Sequence, residues 1–233
     1  MTPRDSTFAP YEKTENTARL NLVRARSLAD QVAESIVDGI AARKLEPGQR
    51  ILEAELSSQM EVSRMPVREA IKTLVAQGIL EATHHRGARV VVFDQVWITR
   101  TREVRAALEK LAVRDARRVY AANPDALAPL DAVLDRMDRA ARDGDRFGVD
   151  KADIDFHREL CRASGNEVVT ILWNALARHA YIVLARENLY ITGLHQVVDV
   201  HRALREAIAF SDGPLDKIMD RHILERDHMV LRE

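Results

Sequence analysis

Apolar positions in the first 93 residues follow three helical stripes and then two short strands. The helical spacing of three to four residues occupies three segments separated by short polar turns: Leu28–Arg43, Glu53–Met60 and Ser63–Gly78. Ile79–Ala82 and Ala88–Phe93 are strand-like, and the polar THHRG between them predicts a β-hairpin. Three helices and a hairpin, with a very short turn between the second and third helices, are the plan of a winged helix-turn-helix.

After Phe93 the pattern is helical throughout. The first long helix is predicted to bury a stripe formed by Val104, Leu108, Leu111 and Val119. Five further helices are predicted between helix-breaking residues: Pro124–Ala141, Phe147–Ser164, Glu167–Leu189, Leu194–Ser211 and Pro214–Arg232. Helices of this length joined by short loops predict an antiparallel six-helix bundle. The predicted fold class is therefore mainly α, with a winged helix-turn-helix followed by this bundle.

These changes in pattern divide the chain. Its 233 residues are enough for two modest domains. We expect a polar N-terminal tail over residues 1–24, a winged helix-turn-helix over residues 25–93 and an all-helical domain over residues 94–233.

Charge, cysteine content and hydropathy narrow the class of protein. The formal net charge is −1, so a nucleic-acid partner would have to be recognised by a local basic cluster. Cys161 is the only cysteine, which excludes a disulfide within the chain and a cysteine-rich zinc module. The N-terminus lacks a signal-peptide pattern, and no apolar run approaches the ~18 residues of a membrane span. These features predict a cytoplasmic protein without a membrane partner.

The third predicted helix, in SRMPVREAIKTLVAQGIL, carries the candidate DNA chemistry. Arg64 and Arg68 are four residues apart and share a face beside the apolar stripe. Arginine binds guanine or phosphate through two hydrogen bonds. An isolated pair of this kind would be ordinary surface charge, but the helix-turn-helix before it and the basic hairpin tip after it favour DNA binding. The predicted DNA-binding residues are Ser63, Arg64, Arg68, Lys72, Arg86 and Gly87.

Four residues of the second half predict a metal site. Asp153 and His157 are four positions apart, so a carboxylate and an imidazole share one helix face. Either both bind one ion, or the carboxylate accepts a hydrogen bond from the imidazole N–H. His201 and His222 each occupy a position on an apolar stripe. Convergence of all four on one divalent transition-metal ion explains three inward histidines. Imidazole-rich ligation favours transition metals over calcium. Zinc and nickel are the first choices, and cobalt, iron and copper are the alternatives. His179 is a reserve ligand.

The segment PGQRILEAELSSQMEVSRMPVREAIKTLVAQGIL, followed by HHRGARVVV, resembles the winged-helix domain of the GntR family of bacterial transcription regulators. The resemblance spans residues 28–93. It implies that Arg64 and Arg68 read bases and that Arg86 and Gly87 form the wing tip. Many members place another DNA-contacting arginine at the start of the second helix, where this chain has Ala54. An operator sequence therefore cannot be transferred from such members.

The motifs DIDFH and HRALREAI, with a histidine near the C-terminus, resemble the FCD effector domain of the FadR-type GntR branch. Six rather than seven helices resemble its VanR-like subgroup. The resemblance implies that the metal ligands are Asp153, His157, His201 and His222. It also implies an effector that is a small carboxylate bound at or beside the metal. Arg105 is a candidate partner for that carboxylate, and a surface salt bridge between Arg105 and Glu109 is the alternative.

These features predict a ligand-responsive transcription regulator, not an enzyme, that binds a palindromic operator as a homodimer. A symmetric dimer places two recognition helices one DNA turn apart, about 34 Å. Two alternatives remain. One is a metal-dependent hydrolase with a DNA-binding head, in which the metal site activates water. The other is a pure metal sensor, in which the ion itself is the signal.

Overall fold

The computed structural model describes residues 27–83, 87–188, 193–210 and 213–225. The predicted tail over residues 1–24 lies outside this range. The winged segment, called the head below, contains three helices: α1 (Leu28–Ala41), α2 (Glu53–Gln59) and α3 (Arg64–Ala76). A capping box starts α1, because the Ser27 hydroxyl accepts from the Asp30 amide and the Asp30 carboxylate accepts from the Ser27 amide.

The head also contains a three-stranded antiparallel sheet of β1 (Arg50–Leu52), β2 (Leu80–Thr83) and β3 (Gly87–Val90), in the order β1-β3-β2. The predicted hairpin is β2–β3, and β1 adds a third strand by pairing Leu52 with Gly87. A Cβ atom on Gly87 would clash with the carbonyl oxygen of Ile51. The glycine therefore lets β1 approach β3 closely. The wing-tip residue Arg86 lies outside the described residues.

Six α-helices and one 3₁₀ turn follow in the described part of the chain. They are α4 (Gln95–Ala122), the 3₁₀ turn (Pro124–Leu127), α5 (Ala128–Arg142), α6 (Arg146–Ala163), α7 (Glu167–Asn188), α8 (Leu194–Phe210) and α9 (Leu215–Ile223). Gly144 and Gly165 have positive φ angles of 70° and 68° and end α5 and α6. The mainly α fold with a winged head and a six-helix bundle is thus confirmed. The last helix was predicted to span Pro214–Arg232, but α9 ends at Ile223 with Leu224 as its C-cap, and residues 226–232 lie outside the described residues.

The predicted buried stripe of α4 is wrong. Val104, Leu111 and Val119 are 52%, 50% and 38% exposed. The inward face of α4 instead carries Arg105 and Glu109, together with small residues such as alanine. Periodicity alone places apolar residues inside, whereas the interior at this level of the bundle holds a polar cluster that needs charged partners.

The head packs against α7 along a surface that we call the seam. One hydrophobic cluster contains residues of both parts, including Ile36 and Leu74 of the head and Ile182 of α7. Polar contacts surround it. Arg178 donates to Glu34 Oε1 at 3.0 Å and to Gln77 Oε1 at 3.0 Å, and His179 Nε2 donates to the Gln77 carbonyl at 2.8 Å.

Helix α7 is long and apolar enough to cross a membrane on length and composition alone, contrary to the expectation from sequence. Half of its most apolar 18-residue window is buried inside the fold. It packs against α1, α4 and α6. The central helix of a soluble bundle meets the same criterion, so α7 is weak evidence for a membrane.

Candidate functional site

The four predicted metal ligands meet in the interior of the bundle. Asp153 and His157 lie on α6, His201 on α8 and His222 on α9, and all four are buried. The ligand nitrogens of the three histidines lie within 4.8 Å of one another. Asp153 Oδ1 is 3.6 Å from His157 Nε2, and Asp153 Oδ2 is 3.3 Å from His201 Nε2. The structure therefore brings together all four residues.

Hydrogen bonds at the far side of each ring orient the histidines. His157 Nδ1 lies 2.5 Å from Glu109 Oε2, and His201 Nδ1 lies 2.7 Å from the Val197 carbonyl. Because both partners are acceptors, we assign the proton to Nδ1 in each ring. This leaves a lone pair on Nε2 of each ring. The His157 and His222 Nε2 atoms are 3.1 Å apart. Two ring nitrogens this close repel each other unless a proton or a cation lies between them. The three histidine nitrogens and the Asp153 carboxylate therefore fit a metal ion.

Burial keeps His157 and His222 neutral, the form that binds metals. Desolvation, together with the nearby positive charge of Arg105, lowers the pKa of His157 to about 4. Burial and the neighbouring His201 and His157 rings hold the pKa of His222 well below its usual value. A neutral imidazole needs no deprotonation before it binds a cation, so the site is ready for a metal at neutral pH.

Glu109 organises the site and was missed from sequence. Its buried carboxylate accepts from Arg105 Nε at 2.7 Å, Trp173 Nε1 at 2.9 Å and His157 Nδ1 at 2.5 Å. Burial opposes its ionisation, but His157 and Arg105 outweigh burial and lower the pKa of the Glu109 carboxyl to about 2. The available signal was helical phase, because Glu109 lies in line with buried Ala112, Val113 and Ala116 on α4.

Arg105 is not a surface residue. It is 5% exposed, so the predicted surface salt bridge with Glu109 is in fact a buried one. Its Nη2 atom lies 3.6 Å from Asp153 Oδ1 and faces the histidine cluster. The guanidinium is therefore held by Glu109 on one side and lies beside the candidate metal site on the other.

Two further histidines of the described residues, His179 and His195, lie away from the cluster. His179, the reserve ligand, is at the seam, hydrogen-bonded to the Gln77 carbonyl and near the Trp97 ring, so that role is wrong. The apolar stripe of α7 shows that His179 faces inward. It does not show whether His179 faces the head or the interior of the bundle, which depends on tertiary packing. His195 is exposed on α8, as expected, and His228 lies outside the described residues. Cys161 is fully buried in the core.

The predicted DNA-binding residues of α3 lie at and beyond its first turn. Arg64 is exposed, and Arg68 is 40% exposed and forms two hydrogen bonds with Glu53 Oε2, at 3.1 and 3.0 Å. Lys72 pairs with Glu69 at 2.9 Å. Ser63 occupies the N-cap position, although within the described chain its side chain accepts no capping hydrogen bond. Glu53 is the residue that sequence reasoning missed here.

The profile "Bacterial regulatory proteins, gntR family" matches residues 28–90, and the FCD domain profile matches residues 101–224. This chain belongs to the GntR family and carries an FCD domain. A relative from Paenarthrobacter nicotinovorans, named a probable D-xylose utilization operon transcriptional repressor, is 32% identical over 81% of this chain and 82% of its own length. The gluconate operon transcriptional repressor of Bacillus licheniformis is 26% identical over 81% and 76%.

Solved structures of other proteins share the fold. A putative GntR regulator from Rhodococcus sp. RHA1 matches with a TM-score of 0.68 at 22% identity, covering 87% of this chain and 96% of that one. This likeness supports the arrangement of head and bundle.

Proposed function

We propose that this protein is a ligand-responsive transcription regulator that binds a palindromic operator as a homodimer. Its operator affinity changes when a small carboxylate binds at a metal ion held by Asp153, His157, His201 and His222. The observation that carries the proposal is the buried cluster of three histidines and one carboxylate beside Arg105, in a chain whose head presents a recognition helix. We assign the DNA-binding role to residues 25–93 and the effector role to residues 94–233.

The head supports DNA reading through α3. Arg64 is exposed near the N-terminal end of α3, and Arg68 lies one turn further along the same face. Glu53 holds the Arg68 guanidinium through Nε and one Nη atom, which restricts its rotamers before DNA arrives. Ser63, Lys72 and the wing residues Arg86 and Gly87 would add contacts to the phosphate backbone.

Replacing Arg64 or Arg68 by alanine should weaken binding to the specific operator by about 1–3 kcal/mol, because each change removes a side chain placed to read a base. Discrimination between operator and random duplex should fall with it. Fluorescence anisotropy with both duplexes measures this at fixed salt. Arg118→Ala, which removes an exposed arginine of α4, is the matched control. Equal discrimination in wild type and both head variants would contradict the assignment of α3.

An exposed apolar face on α4 and α7 supports the homodimer. Val104 and Leu111 of α4, and Val168, Ile171 and Leu172 of α7, are each at least half exposed. The two helices pack against each other. Large apolar side chains clustered on paired helices are typical of a surface covered by a partner, and a two-fold axis would cover the same face of both copies.

The charge of the cluster supports a carboxylate effector. Arg105 carries one positive charge and Glu109 and Asp153 carry two negative charges, so these three side chains sum to −1. A divalent cation changes this to +1, and one carboxylate then neutralises it. The cation, when bound, supplies a Lewis-acidic position for a carboxylate oxygen. Three imidazoles favour zinc or nickel, one ion per chain.

Other features favour regulation over hydrolysis. Glu109, the buried carboxylate nearest His157, already accepts three hydrogen bonds and has a lowered pKa, so it is poorly suited as a general base. Relatives named as operon repressors, one of them for gluconate, support a sugar or hydroxy acid as the effector. The six α-helices of the described bundle support the VanR-like subgroup.

A small hydroxy, keto or sugar acid should change operator affinity by about 5–150-fold, the usual range for coupling between two sites. The effect should disappear in Asp153→Asn, because that change removes a negative charge from the proposed metal site while keeping its shape. Operator affinity is measured with and without each acid in the zinc-loaded protein.

Asp155→Asn is the matched control for this experiment, since Asp155 lies on the outer side of α6 and pairs with Arg136 and Arg158. An acid that changes operator affinity equally in wild type and Asp153→Asn would show that the effector acts elsewhere.

A further inference from the structure

A small cavity lies next to Arg105, between α4, α7 and the end of α9. Its volume is about 10 Å³, close to the space that one water molecule needs. Its lining includes Thr101, Arg102, Arg105, Val183, Glu187 and Ile223. The cavity therefore continues from the guanidinium beside the metal site toward the outside of the bundle.

Arg102 and Glu187, which we call the gate pair, form the outer wall of this cavity. Arg102 Nη2 is 2.5 Å from Glu187 Oε1, and the side chains are 17% and 20% exposed. Each also carries a second buried polar atom. Among the described residues, Arg102 Nε and Glu187 Oε2 have no hydrogen-bond partner, and Arg105 Nη2 has only its 3.6 Å ion pair with Asp153 Oδ1. Buried polar atoms without partners are costly, so their concentration around one cavity indicates that a hydroxyl-sized group, from water or from a ligand, satisfies them.

The gate pair combines a donor with an acceptor. Arg102 Nε can only donate, and the Glu187 carboxylate can only accept. A hydroxyl group does both at once, so it complements the pair. A second carboxylate would be repelled by Glu187, and a methylene chain would leave both atoms unsatisfied. The chemistry of the pair thus distinguishes a hydroxy acid from a dicarboxylate or a fatty acid of the same length.

We propose that Arg102 and Glu187 form a hydroxyl-binding subsite, so that the effector is a hydroxy acid whose carboxylate lies at the metal and Arg105 and whose hydroxyl groups lie between the gate pair. This inference rests on the proposed function. A carbon chain needs more room than one water molecule. The hydroxy acid therefore has to widen the cavity when it binds.

The test compares acids on the full chain loaded with Co²⁺, whose visible absorption reports a carboxylate at the metal. The probes are acetate, hexanoate, adipate and three hydroxy acids: gluconate, galactonate and xylonate. Four of them have six carbons, xylonate has five, and acetate reports the carboxylate alone. The variants are Arg102→Met and Glu187→Gln, with Arg100→Met as the matched control because Arg100 is exposed on the same helix.

Wild type should bind at least one hydroxy acid more tightly than hexanoate or adipate. Arg102→Met should weaken hydroxy-acid binding by about 10–100-fold, the effect of losing a hydrogen bond to a charged group, and leave acetate binding unchanged. Glu187→Gln should shift the preference toward adipate by about tenfold, because it removes the repulsion between carboxylates. Arg100→Met should change nothing. If Arg102→Met does not fold, Glu187→Gln still decides the outcome.

Two failures are distinguishable. Acetate binding in wild type, with no preference for any hydroxy acid or with preferences that neither gate-pair variant alters, would overturn the subsite and leave the proposed function intact. No spectral response of the wild-type protein to any of the acids would overturn the proposed function, and the subsite with it.

Discussion

Removing the metal from the loaded protein should lower its thermal unfolding temperature by about 5–15 °C. A ligand present at 100 to 1,000 times its Kd stabilises the folded state by about 2.7–4.1 kcal/mol. For a chain of this size each kcal/mol shifts the unfolding temperature by about 2–4 °C. Differential scanning fluorimetry of the zinc-loaded protein, before and after chelation, measures the change.

Two histidines on α8 provide the matched comparison. His201 is fully buried among the candidate ligands, whereas His195 is exposed on the same helix. His201→Ala should lose bound metal by elemental analysis and should no longer respond to chelation, and His195→Ala should behave like wild type. Metal content that is the same in both variants would mean that His201 is a structural core residue.

Replacing Glu109 by alanine should reduce the free energy of unfolding by about 3–5 kcal/mol, the cost of leaving a buried charge without its partner. Arg105 would keep its buried guanidinium, and Trp173 Nε1 and His157 Nδ1 would each lose an acceptor. Metal affinity should fall by about 10–100-fold as well, because Glu109 orients the His157 ring. Urea denaturation of the metal-free protein separates the first effect from the second.

Glu103→Ala is the control for this change, since Glu103 is exposed on the same helix. Glu109→Gln should lie between wild type and Glu109→Ala, because an amide retains the shape and one acceptor oxygen. Equal unfolding midpoints for Glu103→Ala and Glu109→Ala would show that the buried network contributes little to stability.

The positions of the candidate ligands were predictable because each leaves a mark on a helical pattern. His157 has a carboxylate one turn earlier, and His201 and His222 interrupt apolar stripes. Glu109 and Arg105 leave a weaker mark. They lie in helical phase with Ala112 and Ala116, but charged residues on a helix are usually exposed, and the apolar residues Val104 and Leu111 suggested a different buried face. Only the tertiary structure shows that those apolar residues lie outside and the charged ones inside.

In the head, too, contacts between residues close in sequence were predictable, and contacts between residues far apart in sequence were not. Turn residues and alternation predicted the β2–β3 hairpin, but the pairing of β1 with β3 joins residues that are far apart in sequence. The pairing of Arg68 with Glu53 likewise depends on how α2 lies against α3. The seam contacts of Arg178 and His179 with Gln77 could not be inferred from either segment alone.

The shared hydrophobic cluster and the seam limit how this regulator can be rebuilt from parts of others. A chimaera that joins a foreign head to this bundle near Phe93 would keep α7 but lose the surface it packs against. To fit, the incoming head would need a carboxylate where Glu34 stands and a side-chain amide where Gln77 stands, so that the partly buried Arg178 keeps its partners. Exchange of operator specificity therefore requires transplanting the seam residues together with the recognition helix.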